Sequence, residues 1–409
     1  MAKIQQLLSN FPDQAAAKRL VENLSFGHSL EYKGPIQSRW SSNLKSVFEN
    51  PKAAQEKIDK EVAMGRIAGP FNSVKQSGLN SLIVSPIGLV PKSDKGVRLI
   101  HHLSHPWGEG INAYIDDEAS KVVFAKFDQA IKLASIQGKG ALMAKFDVKS
   151  AYRLLPVRES DFKFLGMHLE GRVYIDKMLP MGAKISASHW EAFGRVWDWL
   201  VNQHPAFSGQ TCRYMDDMLC VFDPHSDPTP SVEAVFETCA EIGLPLAEEK
   251  TVLPTTHITF LGLSIDSETQ TIGVPLDKIS RAQVELEKLI RAKKTKVRQI
   301  LSIAGLLNFI CKAIPAGRPF LRRLFDSVKG RAKHMWVPVP EEVKLDARTW
   351  LSFLEKYNGC TVFPPLVEVR STDLNLFTDA SLRGYGIVCG TKWVMEAFPP
   401  FEDPQPSMT

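Results

Sequence analysis

The chain has 409 residues, 44% apolar and 23% charged, with a net formal charge of +5. That is ordinary globular composition, long enough for about two to four domains, each able to bury a core without disulfide staples. No run approaches the roughly 18 consecutive apolar residues of a membrane span, which excludes an integral helical membrane protein. The longest apolar candidate, 82–90, is cut by Pro86.

Residues 1–70 read as helical: Asn50-Pro51 opens KAAQEKIDKEVAMG, with Gly65 at its end. Over 71–115, short apolar runs at 82–84, 88–90 and 97–100 are divided by Pro86, Pro91 and the turn Asp94-Lys95-Gly96, the pattern of β-hairpins. Residues 122–137 read as helix and 141–148 as a strand. Over 186–201, Trp190, Phe193, Trp197 and Leu200 recur at three- to four-residue spacing, which predicts an amphipathic helix with its aromatic stripe in a core. Residues 212–222 place a polar tip, Met215-Asp216-Asp217, between apolar strands, and so predict a hairpin. A loop at 224–230, a helix at 231–242 and a strand at 258–265 follow. From 277 to about 330 the chain reads as helical and basic, broken near 314–317. Residues 375–380 read as a strand carrying a carboxylate.

The N-terminus, MAKIQQLLSNFPDQ, lacks the charged-then-apolar layout of a signal peptide. Six cysteines with no C-x-x-C pair indicate neither a zinc ribbon nor a disulfide framework. Together these predict an intracellular protein, cytoplasmic or nuclear rather than secreted. Charge is unevenly spread. Residues 281–333 hold 14 Lys or Arg against Glu285, Glu287 and Asp326, a local net of +11. Such a block suits a polyanion, although a solvated helical face has the same composition.

Two segments carry the chemistry. In Lys145-Phe146-Asp147-Val148-Lys149-Ser150-Ala151-Tyr152 an apolar strand ends in Asp, with an aromatic five residues on. In Tyr214-Met215-Asp216-Asp217 two acids sit at a turn. Adjacent carboxylates repel, and a hard divalent cation removes that cost. Two such ions on rigid neighbouring strands would support phosphoryl transfer. The bland alternative is a turn at Asp216-Asp217 and a helix cap at Asp147.

These segments resemble motifs C and A of reverse transcriptases. Leu179-Pro180-Met181-Gly182-Ala183 resembles motif B, and Glu249-Lys250-Thr251 falls where the motif D lysine stands. Phe260-Leu261-Gly262-Leu263 resembles the primer grip. Val90-Pro91-Lys92 and Val97-Arg98-Leu99-Ile100 resemble the fingers hairpin. GRIAGPF, SPIGLVPK, IHHLSHPWG and WLSFLEKYNG, the last before FTDAS, look like the DIRS-type (tyrosine-recombinase) retrotransposons, with another long-terminal-repeat or pararetroviral branch as the second choice.

The resemblance implies an α+β right-hand polymerase with an antiparallel-sheet palm. It divides the chain into a helical N-terminal extension (1–70), fingers (71–120 and 155–185), palm (121–154 and 186–270), thumb (271–333), connection (334–370) and an incomplete ribonuclease H-like segment (371–409). It implies two Mg²⁺ ions, with Mn²⁺ as a substitute, on Asp147, Asp216 and Asp217. Lys92, Arg98, Val148, Tyr152 and Gly182 would bind the nucleotide, with Tyr152 as the sugar gate and Gly182 allowing close backbone approach. Lys250 would protonate the leaving pyrophosphate, and Phe260, Leu261 and Gly262 would hold the primer. Met181 stands where retroviral enzymes carry Gln. Partners would be RNA template, DNA primer, RNA·DNA hybrid and dNTPs, with no membrane. Asp379 would be the first ribonuclease H ligand. Glu396 and Asp403 flank a stretch that reads as loop, so no ribonuclease H activity is expected. His101, His102 and His105 lack a fourth ligand nearby and do not predict a metal site. Cys212 and Cys220 read as small core residues. The alternatives are an inactive, truncated remnant that only binds nucleic acid, and an RNA-templated RNA polymerase, against which Tyr152 argues. A ribonuclease-H-only or recombinase function has too few ligands.

Overall fold

The computed structural model describes residues 2–91, 96–366 and 370–398. The chain divides into two units, Met1–Val362 and Phe363–Thr409. The first begins with α1 (Ala2–Leu7), α2 (Gln14–Phe26), β1 (Arg39–Trp40), α3 (Lys45–Glu49), α4 (Pro51–Ala63), β2 (Ile67–Phe71), β3 (Ile83–Val84), β4 (Ile87–Pro91), β5 (Val97–His101) and α5 (Phe127–Gln137). It continues with β6 (Leu142–Asp147), β7 (Gly166–Leu169), β8 (Arg172–Asp176), α6 (Ser186–Gln203), β9 (Gln210–Tyr214), β10 (Asp217–Phe222), α7 (Thr229–Ile242), β11 (Val252–Thr255), β12 (His257–Phe260), β13 (Leu263–Asp266) and β14 (Thr271–Gly273). It ends with α8 (Leu276–Arg291), β15 (Lys294–Lys296), α9 (Val297–Ile310), α10 (Arg322–Asp326), β16 (Trp336–Pro338), α11 (Glu341–Glu355) and β17 (Cys360–Val362).

The central sheet runs β11-β6-β10-β9, antiparallel throughout. Side chains alternate across it. Phe146, Met218, Cys220 and Phe222 join one core with Trp190, Phe193 and Trp197 of α6 and Val235 and Cys239 of α7. The aromatic stripe is therefore core packing, and Cys212 and Cys220 are buried free thiols. On the other face Met143, Leu219 and Val221 are also buried, and α5 packs on β10. With both faces covered, the end of this sheet is its one place for a polar site.

A second sheet runs β1-β3-β7-β8-β2, beside the two-stranded ribbon β4-β5. Here the helical expectation for 1–70 is corrected: Arg39–Trp40 pairs with β3, and Ile67–Phe71 pairs with β8. Ile67 is buried with Ala54 and Ile58 of α4 and Tyr174 of β8, so this region is built into the sheet rather than appended to it.

A third sheet, β12-β13-β14-β17, lies in the same unit as α8, α9 and α11, which pack on one another in part. The single strand expected over 258–265 is two, because Leu261 (φ +47°) and Gly262 (φ +81°) take left-handed backbone and reverse the chain. The basic stretch is interrupted by β15, whose Thr295 is buried and pairs with Val337 of β16. The helix expected from 122 starts at Phe127, where the Gln129 side chain accepts the Lys126 amide. Pro230 lies in the first turn of α7 rather than in the preceding loop. Among the described residues no helix is long and apolar enough to cross a membrane.

The second unit holds an antiparallel meander, β18 (Leu376–Ala380), β19 (Gly384–Cys389) and β20 (Lys392–Ala397). Glu396 and Ala397 are in β20, so the stretch expected as loop begins inside that strand; Pro399 and Pro400 lie outside the described residues. Asp403 lies outside the described residues.

Candidate active site

β6 and β10 are paired so that Asp147 faces Asp217, and Asp217 also faces Tyr214 of β9. The connection is the two-residue turn Met215-Asp216, with Met215 at φ +54°. The Val148 amide donates to the Asp216 carbonyl at 3.0 Å, stitching the strand that carries Asp147 to this turn. Asp147 is buried and its Oδ1 accepts Lys250 Nζ at 2.8 Å. The backbone places that lysine: the Asp147 carbonyl accepts the Ala247 amide, and the Ala247 carbonyl accepts the Lys250 amide.

Electrostatics follow from this crowding. Burial pushes the Asp217 carboxyl up to about 6, helped by the charges of Asp147 and Asp216 and opposed by Lys145. Burial also raises Asp216, with Asp147 adding to it and Lys250 and Arg98 opposing. The hydrogen bond to Asp147 holds Lys250 above the ordinary lysine range, so it keeps its proton. Three carboxylates thus meet at one end of the sheet, faced by Lys145, Lys250 and Arg98. That donor chemistry fits a divalent hard cation. Among the described residues no three His, Cys, Asp or Glu side chains stand as a ready-made chelate. Lys250 occupies one of the Asp147 oxygens, so the carboxylates are gathered but not yet closed around a common point.

The site opens into a cleft of about 610 Å³ whose lining includes Asp147, Val148, Asp216, Lys250, Arg98 and Met181. Lys92 lies outside the described residues. Gly182 has a packing reason of its own. A Cβ there would sit 1.9 Å from the His101 carbonyl oxygen, and the Gly182 carbonyl accepts Asn112 Nδ2 at 2.8 Å. Its neighbours Pro180 and Met181 line the cleft instead. Tyr152 is buried, with its ring edge-on to Trp190 at 6.2 Å. Burial and the charges of Asp216, Tyr214 and Glu191 push its hydroxyl up to about 12. Ser150 and Ala151, the residues just before it, line the cleft.

Phe260 is fully buried, whereas Leu261 and Gly262 form the tip of the β12–β13 hairpin. A Cβ on Gly262 would lie 3.2 Å from Lys278 Cε of α8 and 3.4 Å from the Phe309 ring of α9, so the tip is seated on those helices. Asp379 belongs to the second unit, is exposed, and has no carboxylate trio around it among the described residues. Register puts Asp379 in line with Gly386 and Met395, and Glu396 in line with Tyr385 and Ala380, so Asp379 and Glu396 face opposite sides of their sheet. His101 is buried and held near 4 by desolvation, with Nε2 at the Gly166 carbonyl.

Sequence reasoning missed part of the cleft. Lys57 and Lys60 of α4 line it, as does Arg153. Arg153 bonds Asp176 at 2.6 Å and Glu61 at 2.7 Å, and Arg66 stands 3.7 Å from Glu61, so two cations face the two acids on that wall. The lysines follow from helical spacing once Ala54 and Ile58 are known to be buried, but Arg153 lies 92 residues from Glu61 and no local signal links them.

Residues 90–265 match the family model described as reverse transcriptase (RNA-dependent DNA polymerase). The Transposon Tf2-3 polyprotein of Schizosaccharomyces pombe is 23% identical over 345 residues, 84% of this chain. The chain spans only 23% of that polyprotein's length. A foamy viral protease-reverse transcriptase in complex with double-stranded DNA aligns with TM-score 0.61 and 17% identity, over 97% of this chain and 68% of the other. The foamy viral enzyme in complex with an RNA/DNA hybrid aligns with TM-score 0.60 and 17% identity, over 97% and 52%. The mixed α/β fold is therefore similar to that of the foamy viral enzyme, and residues 90–265 are similar to the reverse transcriptase family.

Proposed function

We propose that the chain is an RNA-directed DNA polymerase, adding nucleotides from dNTPs to a primer 3′-OH on an RNA or DNA template. The observation that carries this is the pairing of Asp147 with Asp217 beside Asp216, at the mouth of a cationic cleft, inside the matched segment. Asp147, Asp216 and Asp217 would hold two Mg²⁺ ions, or Mn²⁺ in their place. Bound there, such ions activate the attacking oxygen and stabilise the leaving one. Lys250 keeps its proton at Nζ beside Asp147 and is the group to protonate the pyrophosphate. Arg98, with Lys57 and Lys60 lining the same cleft, binds the triphosphate; none of the three has an ion pair among the described residues, and such cations suit phosphate oxygens. Tyr152 is the sugar gate; its closeness to Asp216 and Tyr214, whose charges raise its hydroxyl, supports a place beside the reacting end.

The fingers, palm and thumb boundaries are carried over from the resemblance. For the thumb, support comes from charge. Glu285, Glu287 and Asp326 are taken up by Lys288, Arg291 and Arg322, leaving Arg281, Lys293, Arg298 and Arg331 exposed for phosphates. The foamy viral complexes support template–primer duplexes as partners. An intracellular site of action, the DIRS-type branch, and Asp379 as the first carboxylate of a ribonuclease H-like segment complete the proposal. The branch rests on the four stretches quoted above.

Primer extension on poly(rA)·oligo(dT) with Mg²⁺ and dTTP, wild type beside Asp216→Asn, tests it. Extension by the wild type and its loss in the variant are expected. A folded wild type that binds hybrid in a salt-dependent way but extends nothing would instead make the chain a nucleic-acid-binding remnant.

A further inference from the structure

The turn that carries Asp216 and Asp217 is held from below by a residue that nothing above assigns. Arg213 sits on β9, two residues before Met215, and its side chain is only 5% exposed. Its Nη2 donates to Glu191 Oε1 at 2.6 Å, and its Nη1 donates to the Met215 carbonyl at 3.0 Å. The guanidinium is seated on Gly194, where a Cβ would fall 2.4 Å from Nη1 and 2.5 Å from Cζ. Glu191 and Gly194 are three residues apart on α6, hence on one helix face. Glycine is a poor helix former, and this one stands in the middle of an 18-residue helix.

Arg213 therefore ties two positions of α6 to one backbone carbonyl of the turn. That carbonyl belongs to Met215, whose left-handed φ of +54° is unfavourable for a residue with a side chain. Such a conformation persists where its surroundings over-determine it. The next carbonyl, of Asp216, accepts the Val148 amide. Both turn carbonyls are thus pinned, one to each neighbouring strand.

We propose that Arg213, charge-balanced by Glu191 and seated on Gly194, is a positioning residue that fixes the Met215-Asp216 turn and so aims Asp216 and Asp217 at Asp147. Its effect on rate rests on the nucleotidyl-transfer reading; its effect on the turn does not. Lysine cannot replace it, because a point charge on a flexible stem does not supply a planar fork to two acceptors. Gly194→Ala must act like loss of Arg213, since the added methyl takes the space of the guanidinium.

The test uses the full chain as wild type, Arg213→Met, Arg213→Lys and Gly194→Ala. Amide exchange of the peptide spanning 214–217 is measured beside the Mg²⁺ dependence of extension at saturating dNTP. In all three variants exchange at the turn is expected to quicken on the order of tenfold while the buried half of β10 stays protected. The rate constant of extension is expected to fall about tenfold or more, with the Mg²⁺ midpoint raised severalfold and template affinity and dNTP KM within about twofold. Wild-type exchange and Mg²⁺ dependence in Arg213→Met would overturn the proposal. Should Arg213→Met not fold, Gly194→Ala decides alone: unchanged turn exchange in it sinks the proposal. A wild type that extends no primer ends the nucleotidyl-transfer reading, and exchange at the turn still decides the role of Arg213.

Discussion

Two strands of this molecule carry an aspartate at or near their C-terminal end after an apolar run, β6 with Asp147 and β18 with Asp379, and they come to opposite results. Asp147 is 7% exposed, faces a second carboxylate in register, has a third in the adjoining turn, and is bonded by a lysine. Asp379 is exposed, faces Gly386, and among the described residues accepts only the amide of the next residue, at 2.9 Å. A strand ending in a carboxylate is common and means little. It becomes a site where long-range pairing gathers acids that burial would otherwise expel, at a cost that some counter-charge must offset.

The sharpest way to break this comparison is to neutralise one acid of each strand. Asp147→Asn is expected to reduce primer extension by about 10³-fold or more while hybrid binding persists, measured by single-turnover extension. Next in size is Lys250→Gln, which removes the proton donor. A loss of about 10²-fold in the single-turnover rate is expected, with the alkaline limb of its pH profile flattened. Smaller again is Lys57→Gln with Lys60→Gln. Steady-state kinetics should give dNTP KM raised about fivefold with little change in kcat, since these lysines face the cleft but not the reacting atoms.

Burial of an ionisable group without compensation should cost stability away from the centre too. His28 is fully buried against His189, its Nε2 has no partner among the described residues, and its pKa is held down to about 3, by desolvation first and then by the charge of His189. The unfolded chain takes up this proton near pH 6.5 and the folded one only near 3, so stability is constant above about pH 6.5 and falls as pH drops through that window. A decline in Tm of about 2–4 °C between pH 7 and 5, lessened in His28→Gln, is expected in thermal melts. The smallest effect closes the comparison. Asp379→Asn should leave both extension and Tm within error, and a large loss of either would show that the exposed strand has partners of its own.

Much of the centre was legible because it is locally encoded. Polar residues between two apolar strands predict a hairpin tip, and the recurrence of Trp190, Phe193 and Trp197 at three- to four-residue spacing predicts a buried helix face. What escaped was encoded by pairing at a distance. β1 has only two residues, β2 carries Gly69-Pro70 in its middle, and both are defined by pairing with β3 and β8. Leu261 takes a positive φ with no glycine of its own to announce it. Nothing local links Arg213 to Glu191, 22 residues away, until α6 packs on β9. Gly182 was read as making room for a nucleotide, whereas the room is filled by the chain's own backbone.

That last contact has a consequence for sequence drift. The atom that forbids a side chain at 182 is the carbonyl oxygen of His101, which every amino acid carries. No replacement at 101 can therefore relieve it, unlike the contact at Gly194, where a shorter residue at 213 would. In a saturation-mutagenesis map, position 182 should stand as a column intolerant of every other residue, independent of background, while position 194 should open conditionally, once its partner has shrunk.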